Sequence, residues 1–426
     1  MPSDLSEASM LIQRTVAITL IVCCFADHSA AQLMNANESS SVDFEEELSE
    51  LDIDVQGSIG DPEERRGFGL DGDLRLGYLF AGDDIEDVVF GETDNLRARW
   101  RIRSIWGIAD RLRGAFRVAG ICSSEDCDPD FILQPELPAS ASIKDGQITI
   151  DTLFLQWFRS DRFDIAVGRM ETKFVARGGV FAKSLDRNDS NNLRVNWTDG
   201  LHSTFKAKNG WESHMVLQYN SKDGPSTVRR DPLDFSDSRS RVSYFYGLEN
   251  LETNRLLVQR AIDITYLPSS LLSNGQLESR LEDYLAIVAR AASRWPVRSE
   301  GWRIRTSTEV GYASNTPTKT AAGIIGTGDA DGLAWNITVS VMDFVPNHSI
   351  GMNFAKTEAG WLLSPQYTDN ERLFEIRYMW RPTDHLTLDV RGRWRDELRQ
   401  RIIEEPDRDR FDFYARFTWS FKIREF

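Results

Sequence analysis

Arginines recur at every second residue in several parts of this sequence. In the segment 94–106, DNLRARWRIRSIW, they alternate with apolar residues. Successive side chains of a β-strand point to opposite faces, so a strand here would carry its arginines on one face. A guanidinium stays charged and presents planar donors that match carboxylates, phosphates and sulfates. Two residues span roughly 7 Å along a strand, within the Debye length of about 8 Å. The pattern therefore predicts one continuous positive field that acts on nearby anions. The arginines predicted to contribute are Arg97, Arg99, Arg101, Arg103, Arg113, Arg117, Arg303, Arg305, Arg377, Arg391, Arg393 and Arg395.

Pairing with acidic residues is the competing interpretation of these arginines. Residues 67–426 contain 47 basic and 52 acidic residues, so carboxylates are available on neighbouring segments. Glu375 and Asp389 are candidate partners of Arg377. The balance favours structural pairing somewhat over a net preference for anions, and the sequence leaves both interpretations open.

The end of the chain shows which element would position such residues. In FDFYARFTWSFKIREF, residues 411–426, one face of a strand would be apolar and the other charged or hydroxyl-bearing. This alternation suits a wall between lipid and water. A charged side chain facing lipid at mid-depth costs about 2–4 kcal/mol, so the arginines are expected to face an aqueous interior. The apolar face comprises Phe411, Phe413, Phe417, Trp419, Phe421 and Ile423. The predicted fold is all-β, a transmembrane antiparallel β-barrel.

The overall composition is compatible with such a barrel. The mean hydropathy is −0.39 and 27% of the residues are charged. Only every second residue of a transmembrane strand meets lipid, so the average of a barrel stays hydrophilic. After the N-terminal region, no run approaches the roughly 20 apolar residues that a membrane helix needs. The sequence therefore argues against helical membrane spans in the mature chain.

The first 66 residues divide into two predicted regions. Residues 1–31 have the pattern of a signal peptide: Arg14, an apolar run at 16–25, and small residues before Gln32. A lipoprotein signal ending at Cys23 is a weaker alternative, because Val22 stands where a small residue is needed. Residues 32–66 hold eleven acidic and two basic residues, which predicts a mobile acidic segment in the periplasm. The barrel is assigned to residues 67–426, in the outer membrane of a Gram-negative-type bacterium.

Period-two alternation predicts about sixteen strands, with fourteen or eighteen as the neighbouring counts. Short connections alternate with longer polar ones, as in bacterial barrels with short periplasmic turns and long outer loops. An even number of strands returns both ends of the barrel to the periplasm. The predicted strands are 67–80, 95–106, 111–121, 150–159, 163–169, 193–208, 211–220, 241–248, 255–266, 281–292, 301–313, 333–343, 349–356, 373–381, 385–395 and 411–423.

The chain resembles the sixteen-stranded outer-membrane porins over most of its length. The segments TIDTLFLQWFRSDRFDIAVGRMETKF and RVNWTDGLHSTFKAKNGWESHMVLQYN are also similar to phosphate-selective-type porins and alginate-export-like barrels. In those proteins a strand ending in Gly and a polar residue, here Gly168 and Arg169, precedes a long loop. A strand carrying Asp-Gly-Leu then follows, here at 199–201.

The resemblance implies that the third outer loop narrows the pore. This loop is METKFVARGGVFAKSLDRNDSNN, and its two glycines, Gly178 and Gly179, permit the chain to fold back into the lumen. A mobile surface loop is an equally weighted alternative. The residues expected at a constriction are Arg177, Lys183, Asp186, Arg187 and Asp189.

Two cysteines remain beyond the predicted signal peptide. Cys122 and Cys127 stand close together in CSSEDC, in a compartment that permits disulfides, and a small loop disulfide is the preferred interpretation. A metal site would need two further ligands and lacks a zinc-type spacing. The histidines are not accompanied by a Gly-x-Ser-x-Gly segment, and no phosphate loop appears. No enzymatic activity, cofactor or metal is predicted.

The functional prediction is a porin that passes small hydrophilic solutes through a water-filled channel, with anions preferred if the arginines act on them. One alternative is an export channel for an anionic polysaccharide, and another is a plugged structural or adhesive barrel. The expected partners are outer-membrane lipid and lipopolysaccharide, the barrel-assembly machinery and the solutes themselves. Both a monomer and a homotrimer fit the sequence, and nucleic acid is not an expected partner.

Overall fold

The structure, a computed structural model, describes residues 67–85, 91–133, 143, 145–189, 195–220, 231–235, 241–251, 256–275, 280–296, 302–401 and 408–425. The predicted signal peptide, the predicted acidic segment and residues 190–192 of the third loop lie outside these ranges. Within them, every regular element is a strand, and no helix is long and apolar enough to cross a membrane.

Nineteen strands make up the regular structure of the described residues. They are β1 (Phe68–Ile85), β2 (Gly91–Ala109), β3 (Leu112–Ser123), β4 (Asp130–Phe131), β5 (Gln147–Ser160), β6 (Phe163–Met170), β7 (Lys173–Arg177), β8 (Ala182–Asn188), β9 (Thr198–Lys206), β10 (Trp211–Tyr219), β11 (Val242–Asn250), β12 (Leu257–Leu271), β13 (Glu282–Pro296), β14 (Arg303–Ala313), β15 (Leu333–Val345), β16 (His348–Thr357), β17 (Glu371–Thr383), β18 (Leu386–Glu397) and β19 (Arg408–Glu425).

Sixteen of these strands form one closed antiparallel ring, which confirms the predicted fold class. Each strand pairs with its neighbours in chain order, and β1 pairs with both β2 and β19, so the sheet has no free edge. β4, β7 and β8 stand outside the ring and were not predicted. β6 and β9 are direct neighbours, and β9 begins at Thr198 rather than at the predicted residue 193, because residues 195–197 belong to the preceding buried segment.

The two ends of the barrel differ in their connections. Residues 110–111, 161–162, 346–347 and 384–385 are tight turns at one end, which we call the turn end. At the other end, the loop end, the chain makes long excursions such as 124–146, 171–197 and 314–332. β1 begins and β19 ends at the turn end, where Phe68 lies opposite Glu425.

β19 shows the predicted alternation between lipid and lumen. Trp419 and Ile423 are exposed on the outer face, opposite Leu74 and Leu70 of β1. Asp412, Tyr414 and Ser420, on the other face, are buried inside the barrel. Near the loop end the outer face also carries a row of contacting aromatic rings on β16–β19, namely Phe354, Phe374, Trp394 and Phe411. Such rows are typical of the interfaces of transmembrane barrels.

Candidate functional site: a charged lumen entered by two loops

The segment between β6 and β9 enters the barrel, and its hairpin β7–β8 packs against the inner wall. The amide of Arg177 donates to Oε1 of Gln259 on β12, and Nε2 of Gln259 donates to the carbonyl of Val175, each at 2.9 Å. Ser340 Oγ on β15 donates to the carbonyl of Gly178 at 2.6 Å. The predicted third loop therefore lies within the lumen, bound to the wall by its own backbone.

Two glycines form the turn of this hairpin. A Cβ on Gly178 would lie 2.2 Å from Thr338 Oγ1 and 2.5 Å from Ser307 Oγ, so the backbone touches the wall where only glycine fits. Gly179 has a φ of +79°, a left-handed conformation that glycine adopts without strain. The turn thus needs glycine at one position for space and at the next for backbone geometry.

The side chains predicted at the constriction reach different parts of the wall. Lys183 forms an ion pair with Glu375 on β17 and lies near Asn353 on β16. Arg187 donates to Gln218 on β10 at 2.9 Å. The remaining contacts are made by Asp186 with Arg290 on β13 at 3.4 Å, and by Asp189 with Thr172 and Thr198 at 2.9 Å. Arg177 is half-buried. The hairpin is therefore braced from β10 to β17.

Burial shifts the pKa of two groups in this segment toward neutral pH. Burial lowers the pKa of the Lys183 ammonium to about 7, although the negative charge of Glu375 opposes the shift; Arg377 and Arg393 add to it. Burial likewise raises the pKa of the Asp189 carboxyl to about 6, against the opposing effect of Arg187. Both groups titrate near neutral pH because they are taken out of water.

A second loop, residues 358–370 between β16 and β17, also fills the lumen. Trp361, Leu362, Leu363 and Tyr367 are all buried. The Trp361 indole donates to the carbonyl of Leu185 at 2.9 Å, so the two loops meet inside the barrel. The entry of this loop into the lumen was not predicted. The available signal was the apolar triplet at 361–363 in an otherwise polar connection.

The wall behind the two loops is built from small residues. A Cβ on Gly311 would lie 2.5 Å from Trp361, and one on Gly351 would lie 2.7 Å from Phe181. The inward positions of β13–β16 include several buried alanines, namely Ala286, Ala313, Ala334 and Ala355. At these positions the strands leave room that the loops occupy.

The arginines of β2 and β3 face the lumen and are paired with acids. Arg101 and Arg117 share Asp151 and Glu171, at distances between 2.6 and 3.3 Å. Asp73 lies 2.6 Å from Arg99 and 3.2 Å from Arg75. The other predicted arginines here contact Asp145 (Arg97, 3.2 Å), Asp71 (Arg103, 3.0 Å) and Gln156 (Arg113, 3.1 Å).

On β17–β19 the arginines outnumber the carboxylates they contact. Asp412 lies 2.6 Å from Arg393, 3.8 Å from Arg395 and 3.9 Å from Arg391. Arg377 lies 3.0 Å from Glu375 and 3.5 Å from Asp389, and Asp389 also contacts Arg416 at 3.1 Å. One carboxylate shared by three guanidiniums leaves this part of the wall formally positive.

The opposite arrangement occurs around Arg290 on β13, which the sequence analysis did not single out. Three carboxylates surround this guanidinium: Glu309 at 2.6 Å, Asp263 at 2.8 Å and Asp186 at 3.4 Å. β13 lies four to six strands from β17–β19 in the ring of sixteen, so this acid-rich cluster and the arginine-rich part of the wall occupy different sectors of the lumen. The lumen therefore has formal charge separation across its width.

The predicted arginines differ in exposure according to their depth. Arg99, Arg101, Arg117, Arg377 and Arg391, near mid-depth, are buried. Closer to the loop end, Arg97, Arg393 and Arg395 are half-buried and reach more of the lumen. On β14, Arg303 lies 2.7 Å from Asp343 near the turn end, and Arg305 is buried. Most of the predicted arginines therefore form ion pairs with carboxylates.

Solved structures with the same architecture include three from Pseudomonas. Pseudomonas aeruginosa OpdQ is 11% identical, with a TM-score of 0.50 over 84% of this chain and 99% of that chain. P. aeruginosa OccK8 (OprE) is also 11% identical, with a TM-score of 0.50 over 84% of this chain and 98% of that one. A high-pH structure of Pseudomonas putida OprB is 10% identical, with a TM-score of 0.52 over 84% and 95%.

The chain has the fold of the outer-membrane porins. No family model matches the sequence, and no curated protein matches it either. At these identities the likeness concerns the fold alone.

In this porin-fold barrel, Cys122 and Cys127 are joined by a disulfide at the loop end of β3, with their Cα atoms 4.6 Å apart. The bond closes the first turn of the excursion that leads to β4. Within the described ranges, no three His, Cys, Asp or Glu side chains are grouped to hold a metal ion.

Proposed function

We propose that this protein is an outer-membrane channel for the passive diffusion of small hydrophilic solutes, with a preference for anions. The observation that carries the proposal is the unequal sharing of charge across the lumen. Three arginines share Asp412 on one side, whereas three carboxylates share Arg290 on another. Charged groups fixed in a narrow pore select ions in this way.

The infolded hairpin would determine which part of the lumen the solutes pass through. Its backbone packs on β12–β15 and its Lys183 side chain reaches β17. The second loop fills the space beside it, so solutes would pass closer to β18–β19 and β1–β3. The half-buried Arg393 and Arg395 would meet them directly. The buried arginines deeper in the wall would act through their field, since their donors are engaged by carboxylates.

Single-channel conductance tests the proposal. The refolded full chain in planar bilayers, under a salt gradient, should give a steady current whose reversal potential reports anion preference. Changing Arg393 and Arg395 to serine should move the reversal potential toward zero. Arg260→Ser is the matched control, because Arg260 is exposed on the outer face of β12 over the Trp211 ring. An unchanged reversal potential in the double variant would make these arginines structural.

A plugged barrel is the second candidate function, and the meeting of the two loops favours it. Leu185 and Trp361 join within the lumen, surrounded by buried apolar side chains. A plugged barrel predicts no current from folded protein, whereas a channel narrowed on one side predicts a small one. Current that appears only after Trp361 is shortened would indicate a plug.

A further inference from the structure

Where the chain turns into the lumen after β6, one part of β5 has no neighbouring ring strand on that side. β6 ends at Met170, where the chain turns inward. β5 pairs with β6 only from Leu153 to Ser160. The part of β5 nearer the loop end, residues 147–152, extends beyond its neighbour on this side.

Residues 130–133 of the preceding loop occupy this place. β4 runs parallel to β5, with Asp130 opposite Gln147 and Phe131 opposite Ile148. The amide of Asp130 donates to the carbonyl of Gly146, and that of Ile132 to the carbonyl of Ile148, each at 2.9 Å. The segment thus continues the wall beyond β6 by regular backbone pairing. We call residues 130–133 the wall patch.

The wall patch presents its larger apolar side chains outward. Ile148 lies opposite Gly120, and Gly120 packs beneath the outward-facing Trp100. Phe131, on the same face as Ile148, therefore points away from the lumen. Phe131 is 55% exposed and Leu133 is 56% exposed. Ile132, between them, packs inward against a buried apolar cluster.

The wall patch also covers a charged pair on the outer face. Arg169 lies opposite Leu153 on β5 and Asp199 on β9, and Leu153 is exposed to the outside. Its guanidinium donates to both oxygens of Asp199 at 2.8 and 3.1 Å. It also donates to the carbonyls of Leu133 at 2.7 Å and Ile150 at 2.9 Å, and stacks on the Trp197 ring at 4.4 Å. Such saturation is what an arginine facing lipid requires.

The depth of the wall patch agrees with a position in the membrane. Ile148 and the exposed Trp157 are nine residues apart on β5. With a rise of about 3.3 Å per residue and a tilt of about 40°, they are separated by roughly 23 Å along the membrane normal. The apolar band of such barrels is about 25 Å tall. Phe131 therefore sits at the edge of the band opposite to Trp157.

We propose that Phe131 and Leu133 contact the acyl chains of the outer leaflet, so that the wall patch belongs to the lipid-facing surface. Arg169 is its positioning residue, because it binds the patch carbonyl at Leu133 while neutralised by Asp199. The apolar surface of the patch is continuous with the outward face of β5, which supports acyl chains as the occupant.

A fluorescent label at position 131 tests the occupant. The F131C variant of the full chain with Cys23 and Cys24 changed to serine, labelled with an iodoacetamide NBD dye and refolded in phosphatidylcholine bilayers, should be quenched by phosphatidylcholine carrying a doxyl group near the headgroup. Aqueous iodide should quench it weakly. Two variants serve as references, L153C on the outer face of β5 and I325C in the loop 314–332, with parent side chains each 55% exposed. The parent protein with only Cys23 and Cys24 changed to serine should take up no dye, because its two remaining cysteines are joined in a disulfide.

The two references define the outcomes. A label at 131 that is quenched by the doxyl lipid and, like the label at 153, is shielded from iodide supports the proposal. One that behaves like the label at 325 overturns it, because the patch would then lie in water. In F131C/R169Q, which loses the hydrogen bond from Arg169 to the carbonyl of Leu133, quenching by the doxyl lipid should fall at least twofold and quenching by iodide should rise. The control variant F131C/R260Q should show neither change. Unchanged quenching in folded F131C/R169Q would overturn the role of Arg169. If that variant fails to fold, the label at 131 in the otherwise unchanged parent protein still decides the occupant.

Discussion

The indole of Trp361 donates a hydrogen bond to the carbonyl of Leu185 at 2.9 Å, and so joins two loops inside the barrel. Both residues are fully buried. The contact connects the hairpin β7–β8, which is braced against six strands of the wall, to the connection between β16 and β17. It makes this side of the lumen a packed core beside the charged cluster around Arg290.

Trp361→Ala should therefore lower the free energy of unfolding by about 3–5 kcal/mol, since it opens a cavity and removes a hydrogen bond. Trp361→Phe should cost less, about 1–2 kcal/mol, because most of the packing remains. Urea unfolding of the refolded barrel measures both. The exposed Trp419 supplies the control Trp419→Phe, which should change stability little. Equal losses in both Trp361 variants would contradict the packing argument.

Gly178→Ala should displace the hairpin from the wall, because the added Cβ would meet Thr338 Oγ1 and Ser307 Oγ. The expected loss is about 1–3 kcal/mol, as for an overpacked core. Removing both hydroxyls, in Gly178→Ala/Thr338→Ala/Ser307→Ala, should recover part of it. Gly82→Ala is the matched control, since a Cβ there would meet no atom within 4 Å. Failure of the triple variant to recover any stability would contradict the steric explanation.

Asp412→Asn should destabilise the barrel by about 3–5 kcal/mol and strengthen anion preference. The substitution removes the carboxylate that three arginines share, and removing one partner of a buried ion pair is costly. Reversal potentials and urea unfolding give the two readouts. Asp343→Asn, which removes the partner of Arg303 in a half-buried pair near the turn end, should have a smaller effect on both. Anion preference that falls in Asp412→Asn would show that Asp412 positions the arginines.

Stability should rise as the pH increases from about 7 toward 10.5, through Lys183. Burial lowers the pKa of its ammonium from 10.5 to about 7 in the folded barrel. Between these values the unfolded chain binds more protons at this site, so the free energy of unfolding increases with pH. Lys183→Gln should flatten that part of the profile. A profile of unchanged slope in this variant would contradict the assignment.

Anion preference should weaken as the pH rises through about 7, because the Lys183 ammonium loses its positive charge. Reversal potentials at pH 6 and pH 8 measure the effect. Lys183→Gln, which has no charge at this position, should show a smaller difference between the two pH values. If the reversal potential changes between pH 6 and pH 8 by the same amount in wild type and in the variant, another group causes the pH dependence.

Several features followed from local pattern alone. The parity of β19 placed Trp419 outside and Asp412 inside, and alternation predicted a ring of sixteen strands. The inward direction of the arginines on β2 followed from the same rule. These predictions succeed because the period of a strand is local and a charge facing lipid is costly, so one residue identifies the side of its neighbours.

Contacts between distant segments were not predictable in this way. The sequence favoured pairing of the arginines over one positive field but did not identify the partners, which the structure shows to be carboxylates or amides, mostly from other strands. Arg290 gave no signal, because its three carboxylates come from β8, β12 and β14. Arg169 was read as part of a strand-end motif, and only the placement of the wall patch shows how an arginine on the outer face is satisfied.

The sequence by itself determined most of the ring strands, their approximate number and the two faces of the wall, since these depend on alternation and on the turns between neighbours. Tertiary structure alone decided which loops entered the lumen, which charges met there and where the gap beside β5 was closed. The physical reason is that closing the ring brings together residues far apart in sequence. Which of these residues pair depends on the space left by small side chains on the facing strands. The alternation along one strand does not encode that space.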